Sequence, residues 1–198
     1  ILVTHEHRDH WAGVMPLAIK YEIPVVMTAG CCRAVKANCE ELVQIIDSQT
    51  QFTIGDLLIT PVTVPHDAIE PVQYLFEHDS RCLGLLTDLG HFTKYIFDRY
   101  KMCDALFVEA NHDRGMLREG SYPQFLKQRV AGNWGHLDND QVGEFLKTVD
   151  QDRLQHLLIG HISENNNCLS IVKKVIDSTG IDFTKVHYAT QNVGCGWL

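Results

Sequence analysis

The sequence has no apolar run long enough to cross a bilayer and no basic, apolar leader with a small-residue cleavage site. Internal repeats, linkers and low-complexity tracts are missing as well. Its 198 residues, 45% of them apolar, provide enough material for one hydrophobic core. We therefore expect a single domain over 1–198 that does not enter a membrane. The chain opens at Ile1 in mid-strand without an initiator methionine, and we expect an N-terminal part of the native protein to precede it.

The seven cysteines include no Cys-x-x-Cys pair and no evenly spaced framework, and their number is odd. We interpret them as reduced, mostly buried thiols of a cytoplasmic protein. Their one cluster joins Cys31 and Cys32 to Cys39. Because its spacing suits a metal poorly, we expect no independent metal or redox role there.

A basic excess is also missing, since the formal net charge is −8. Bulk electrostatics therefore gives no reason to expect capture of nucleic acid or of an anionic membrane. A polyanionic substrate is still compatible with this charge, because divalent ions bound in one cleft would reverse the local potential.

What the sequence does contain is a dense group of metal-capable side chains directly after the apolar run 1–3. Strand alternation would place His5 and His7 on one side of a sheet edge, and the following turn would bring Asp9 and His10 toward a second point. A purely structural role, as a hydrogen-bonded core or surface residue, would account for a single histidine but does not account for this cluster. The zinc-protease pattern His-Glu-x-x-His is absent, because Asp9 stands where its second histidine would be. The pattern predicts a site in which one strand end serves two metal ions.

Hydrophobic periodicity predicts an α/β organisation. An early strand-rich block precedes alternating strands and helices, which indicates two sheets, or one bent sheet, packed between helices. The predicted helices cover 11–21, 31–46, 139–149 and 168–178, and the predicted strands cover 23–28, 52–54, 57–62, 72–76, 81–87, 105–109 and 156–160.

Further polar residues recur where apolar strands stop, namely His66, Asp88, His136 and His161. Strand ends that converge at one sheet edge would bring them to the first cluster. Together these residues resemble the metallo-β-lactamase fold superfamily, with its His-x-His-x-Asp-His motif, later His, strand-end Asp and final His. The resemblance implies an αββα four-layer sandwich, here lacking its N-terminal strands. It also implies a ligand set of His5, His7 and His66 for one metal, Asp9, His10 and His161 for the other, and Asp88 between them.

A narrower resemblance joins the segments 108–113, 122–129, 135–139 and 160–166 to the YycJ/WalJ/VicX-type exonuclease branch of that superfamily. It implies 5′-to-3′ exonuclease activity on nucleic acid, with DNA favoured over RNA. Members of the branch usually begin with a Gly/Ser-rich first strand and turn that this chain lacks. Asp138 also stands where the branch usually has serine.

The residue types suit this chemistry. Imidazole and carboxylate ligands fit two divalent ions, zinc or manganese, with iron possible, and paired ions suit displacement at phosphorus. By resemblance to related nucleases, His136 would be the proton donor to the leaving oxygen, and Asp9 would share proton handling. We interpret His112, Asn165 and Asn166 as candidate substrate contacts. Lys127 and Arg129 could contact phosphate, although a solvated charged face is the favoured interpretation.

Other functions stay open at this level. The same ligands would polarise a carbonyl, and an apolar lining around Asp88 and His161 would favour a thioester or lactone hydrolase. Iron held by histidine and carboxylate would indicate an oxidoreductase, revealed by iron content and a visible absorption band. A non-catalytic binding module is least favoured, because every ligand position is filled.

Overall fold

The computed structural model describes residues 1–36 and 41–197. Within them, a small parallel sheet pairs β1 (Val25–Thr28) with β2 (Val43–Ile46). The larger sheet has its strands in chain order: β3 (Phe52–Ile54), β4 (Leu57–Thr63), β5 (Val72–His78), β6 (Arg81–Leu86), β7 (Ala105–Glu109), β8 (His156–Gly160) and β9 (Val186–Tyr188). Pairing is antiparallel from β3 to β6 and parallel from β6 to β9. Strands β4, β6, β7 and β8 consequently all end at the same edge of this sheet.

The helices cover both outer faces of the two sheets. They are α1 (Arg8–Trp11), α2 (Val14–Tyr21), α3 (Ala29–Val35), α4 (Lys94–Tyr100), α5 (Arg114–Glu119), α6 (Gln124–Val130), α7 (Asn139–Leu146) and α8 (Leu169–Asp177). A short 3-10 turn, Phe183–Lys185, precedes β9.

Three apolar clusters hold the layers together. Ala18 of α2 and Cys31 of α3 pack with Met27 on the small sheet. The two sheets meet where Leu2 and Ile46 pack against a cluster of the large sheet that contains Ile59, Val72 and Tyr74. The largest cluster joins the large sheet to α4, α7 and α8, through Ile96, Phe145 and Val172 among others. This order of layers confirms the predicted αββα sandwich.

Several predicted elements need correction. The helix predicted over 31–46 is wrong, because α3 ends at Val35 and Val43–Ile46 forms a strand beside β1. Residues 37–40, including Cys39, lie outside the described residues. The apolar run 1–3 was predicted to be the end of a strand. It instead forms one isolated parallel bridge with β1, between Leu2 and Val26. Four further elements were not predicted, because they are short and have little periodicity of their own: α4, α5, α6 and β9.

Across residues 1–36 and 41–197, no helix is both long enough and apolar enough to cross a bilayer.

Candidate metal centre

The shared edge of the large sheet gathers the strand-end side chains. His66 follows β4, Asp88 follows β6, and His161 directly follows β8. Asp88 and His161 both adopt positive φ, 54° and 52°, which turns the chain sharply off each strand. Positive φ is uncommon for residues other than glycine and is often retained at functional sites. The segment of His5, His7 and His10 reaches this edge through the hydrogen bond from Val72 N to Thr4 O, 3.0 Å.

Most of the clustered imidazoles are held through Nδ1. His66 Nδ1 donates to Gly135 O at 3.0 Å, and His161 Nδ1 donates to a carboxylate oxygen of Glu109 at 2.8 Å. The hydroxyl of Thr4 contacts Nδ1 of His5 at 3.0 Å and Nδ1 of His10 at 3.3 Å. Such outer contacts fix ring orientation in metal sites. They leave Nε2 of each ring as the atom able to bind a metal ion.

Asp88 lies between two groups of imidazoles and is buried. Its Oδ2 is 3.2 Å from His10 Nε2, whereas its Oδ1 is 3.8 Å from His66 Nε2. Burial opposes ionisation of this carboxyl, but the hydrogen bond from His10 and the charge of His161 hold its pKa well below the usual range. Asp88 is therefore an anionic group with one oxygen toward each histidine group.

The donor set fits divalent cations. His5 is fully buried, and its Nε2 has no hydrogen-bond partner among the described residues. A buried polar atom without a partner costs free energy, which a metal bond would offset. Burial lowers the pKa of His5 to about 3 and also lowers that of His66, so both rings keep a lone pair near neutral pH. Ligand atoms of His5, His7 and His66 lie within 4.8 Å of one another, as do those of His5, His10 and Asp88 and those of Asp9, His10 and His161.

Glu109 was given no role from the sequence, yet it organises one side of the centre. It is fully buried at the end of β7. Its Oε2 accepts from Nδ1 of His136 at 3.1 Å and of His161 at 2.8 Å, while its Oε1 accepts from the backbone N–H groups of Leu89 and Leu137. Because both oxygens are already engaged by hydrogen-bond donors, Glu109 acts as an acceptor that positions the histidines.

The charge of Glu109 affects the histidines that it contacts. Burial raises its pKa, but the hydrogen bonds from His136 and His161 outweigh this and bring it to about 2. Burial likewise lowers the pKa of His161, but the bond to Glu109 and the charge of Asp88 raise it to about 9. His136 is also raised above its ordinary pKa, because Glu109 and Asp88 outweigh burial. The sequence did contain an indication that Glu109 belongs to the centre. Glu109 is the last residue of a buried apolar strand, and Asp88 lies two residues after the end of another.

We predict that Glu109→Gln weakens metal binding and slows turnover by about 10- to 100-fold, the range for lost outer contacts. The amide nitrogen cannot accept a hydrogen bond. In one orientation of the amide His136 and His161 lose their shared acceptor, and in the other the backbone N–H groups of Leu89 and Leu137 lose theirs. Chelator competition and hydrolytic turnover measure the two effects. Glu144→Gln, at an exposed glutamate of α7, is the matched control. Wild-type metal affinity in Glu109→Gln would contradict the positioning role.

Asp67 is a second acidic residue to which the sequence reading gave no role. Its Oδ1 lies 3.5 Å from His7 Nε2 and 3.6 Å from His66 Nε2. Its Oδ2 accepts a hydrogen bond from Arg129 Nε. In the sequence, the one indication that Asp67 lies near the centre is its position directly after His66.

An open cleft of about 600 Å³ lies over the centre. Asp9, His136, Asn165 and Asn166 line it, whereas His112 does not and is instead buried behind it. Gly135 allows this arrangement, because a Cβ there would lie 2.2 Å from the carbonyl oxygen of Arg129. The loop before His136 can consequently lie against the end of α6.

Comparisons with known proteins agree with this architecture. A family model described as the beta-lactamase superfamily domain matches residues 1–162. Exodeoxyribonuclease YycJ of Bacillus anthracis is 34% identical over 192 residues, which cover 91% of this chain and 71% of that protein. Exodeoxyribonuclease WalJ of Streptococcus pneumoniae serotype 2 is 36% identical over 174 residues. That match covers 84% of this chain but 64% of WalJ, so the chain spans less than two thirds of this relative.

A solved structure carries the same fold at low identity. The metallo-beta-lactamase fold protein YhfI of Bacillus subtilis has a TM-score of 0.70 at 16% identity, and the match covers 95% of this chain and 73% of YhfI. The chain thus belongs to the beta-lactamase superfamily and is a metal-dependent hydrolase. Within that superfamily it belongs to the branch of the YycJ and WalJ proteins, which confirms the resemblance found in the sequence.

Proposed function

We propose that the protein is a DNA exonuclease that hydrolyses phosphodiester bonds in the 5′-to-3′ direction with two divalent ions, zinc or manganese. In this proposal His5, His7 and His66 hold one ion and Asp9, His10 and His161 hold the other. Asp88 would contribute to both. The placement of its two oxygens toward separate imidazole groups supports the assignment.

The lining of the cleft carries the choice of a phosphodiester over a thioester or lactone. Around Asp88 and His161 the cleft presents hydrogen-bond donors on Arg8, Arg129 and Tyr122 together with several asparagines. Apolar side chains are few in this lining: Leu126, Val130 and Ile162. Guanidinium and amide N–H groups suit phosphate oxygens, and an ester with an apolar acyl chain would favour the opposite composition.

The chain's own residues would handle protons and position the substrate. Bound ions would supply the positive charge that activates a water molecule and stabilises charge developing at phosphorus. His136 lines the cleft and donates Nδ1–H to Glu109, so its Nε2 is free to face the substrate. Its raised pKa favours the imidazolium, which can donate a proton to the leaving oxygen. The exposed carboxylate of Asp9, with Oδ2 3.4 Å from His10 Nε2, can accept a proton from water.

Asn165 and Asn166 are proposed to contact phosphate. Both line the cleft, and their amide NH₂ groups are the donors that a phosphate oxygen requires. Asn165 Nδ2 donates to the hydroxyl of Tyr122, another residue of the lining, at 3.4 Å. We also propose a reducing compartment, the cytoplasm, because every cysteine in the described part of the chain is a free thiol.

Elemental analysis combined with an assay on 5′-labelled DNA tests this function. We expect two zinc or manganese ions per chain and early release of labelled mononucleotide from single- or double-stranded DNA. Chelation should stop the release, and His7→Ala, purified in parallel, controls for contaminating nucleases. Hydrolysis of thioesters or lactones with intact DNA would contradict the proposal. Bound iron with a visible absorption band and no hydrolysis would instead indicate an oxidoreductase.

A further inference from the structure

Helix α6 separates the metal cleft from a second depression, which we call the α6 groove. The groove has a volume of about 240 Å³ and combines a mostly apolar floor with polar and cationic side chains; its lining is His112, Arg114, Leu117, Arg118, Gln124, Lys127, Gln128 and Ala131. The cleft is lined by Leu126, Arg129 and Val130 of the same helix. At 100° per residue these two sets lie on opposite sides of α6. Helix α6 therefore presents different side chains to the metal cleft and to the α6 groove.

Three cationic side chains line the α6 groove in a chain whose net charge is −8. Arg114, Arg118 and Lys127 line it, and no carboxylate does so among the described residues. Arg114 pairs with Asp138 at 2.7 Å and Arg118 pairs with Glu119 at 3.0 Å. Asp138 is buried and Asp140 lies 3.8 Å from the same guanidinium, so Arg114 is largely neutralised. Arg118 and Glu119 are both exposed, so their pair is weak and the Arg118 guanidinium keeps further N–H donors. Lys127 Nζ donates to a backbone carbonyl, that of Arg118, at 2.7 Å.

A buried imidazole adds an independent indication of a ligand. His112 contributes to the lining of the groove, yet it is only 2% exposed. Its Nδ1 is buried and has no hydrogen-bond partner within residues 1–36 and 41–197. Buried polar atoms are normally satisfied, and those that are not often mark a site for water, an ion or a ligand.

The crest of α6 offers a third feature. Phe125 is 71% exposed and lies between the residues that face the groove and those that face the cleft. An exposed aromatic ring beside cationic side chains is the combination that single-stranded nucleic acid uses for base stacking. Asn111 in the cleft and His112 in the groove are also consecutive, so the two depressions adjoin at this point as well.

We infer that the α6 groove binds a backbone phosphate of the substrate strand, outside the nucleotide that is cleaved. The strand crosses α6 at Phe125, with one phosphodiester at the metal centre and another beside Arg118 and Lys127. This inference rests on the proposed function and adds to it a binding site that holds a strand but not a small phosphodiester.

Alanine at both Arg118 and Lys127 tests the groove. Arg118 is exposed and Lys127 is half-buried, so circular dichroism checks that the double variant is folded. Its KM for single-stranded DNA should rise by about tenfold at low salt, and the slope of log KM against log salt should fall by about 1.4, as for two lost contacts at about 0.7 each. Hydrolysis of bis(p-nitrophenyl) phosphate should be unchanged. The matched control is Lys173→Ala with Lys174→Ala, two exposed lysines of α8.

The outcomes separate the groove from the proposed function. If the double variant degrades DNA with the KM and salt slope of the control, the groove is not a phosphate site. An equal loss on the small diester would also overturn the inference, because the effect would then lie at the metal centre. If the wild-type protein hydrolyses the small diester but not DNA, the proposed function fails and the groove inference fails with it.

Discussion

Asp88→Asn is expected to lose bound metal and to slow DNA hydrolysis by about a thousandfold or more, well beyond the roughly 10- to 100-fold cost of a lost outer contact. Asparagine is the informative replacement because it tolerates the positive φ of 54° at this position better than alanine does. It replaces one anionic oxygen with an N–H group that cannot ligate a cation. Metal content per chain and turnover of labelled DNA measure both effects.

The change should affect both ions, since the two oxygens of Asp88 face different imidazole groups. Asp177→Ala, at the exposed end of α8, controls for loss of a carboxylate elsewhere. Circular dichroism of the metal-free variants checks that each is folded. Two ions retained in Asp88→Asn would overturn its place between the metals, and wild-type turnover would remove it from the site.

The sequence predicted where the centre lies because its residues follow a simple rule. His66, Asp88 and His161 each come within three residues of the end of an apolar strand, and β4, β6 and β8 run in the same direction in one sheet. Strands that run the same way end at the same edge, so residues far apart in the chain meet there. The periodicity of the long strands was enough to locate this edge.

The remaining features depend on tertiary contacts that local sequence does not encode. Val43–Ile46 was predicted as helix because a short apolar run has no decisive period, and its pairing with β1 determines its structure. Glu109 accepts from His136 and His161, which are 27 and 52 residues away in the chain. Nothing in the strand that carries Glu109 indicates those partners. For the same reason the sequence could name His112 as a candidate substrate contact but could not indicate that it lines the α6 groove.

His136→Ala is expected to retain both metal ions while slowing DNA hydrolysis by about 10²- to 10⁴-fold, the typical cost of a lost general acid. The leaving oxygen of a deoxyribose is a poor anion and needs a proton, whereas p-nitrophenolate is stable as an anion near neutral pH. The variant should therefore hydrolyse bis(p-nitrophenyl) phosphate at close to the wild-type rate. Comparison of kcat on the two substrates isolates proton delivery from metal binding, and His78→Ala, at a half-exposed histidine of β5, is the control. An equal loss on both substrates, or loss of a metal ion, would show that His136 positions the metal ligands and does not deliver a proton. His136 Nδ1 lies 3.7 Å from Asp88 Oδ1, so the experiment has to distinguish these two roles.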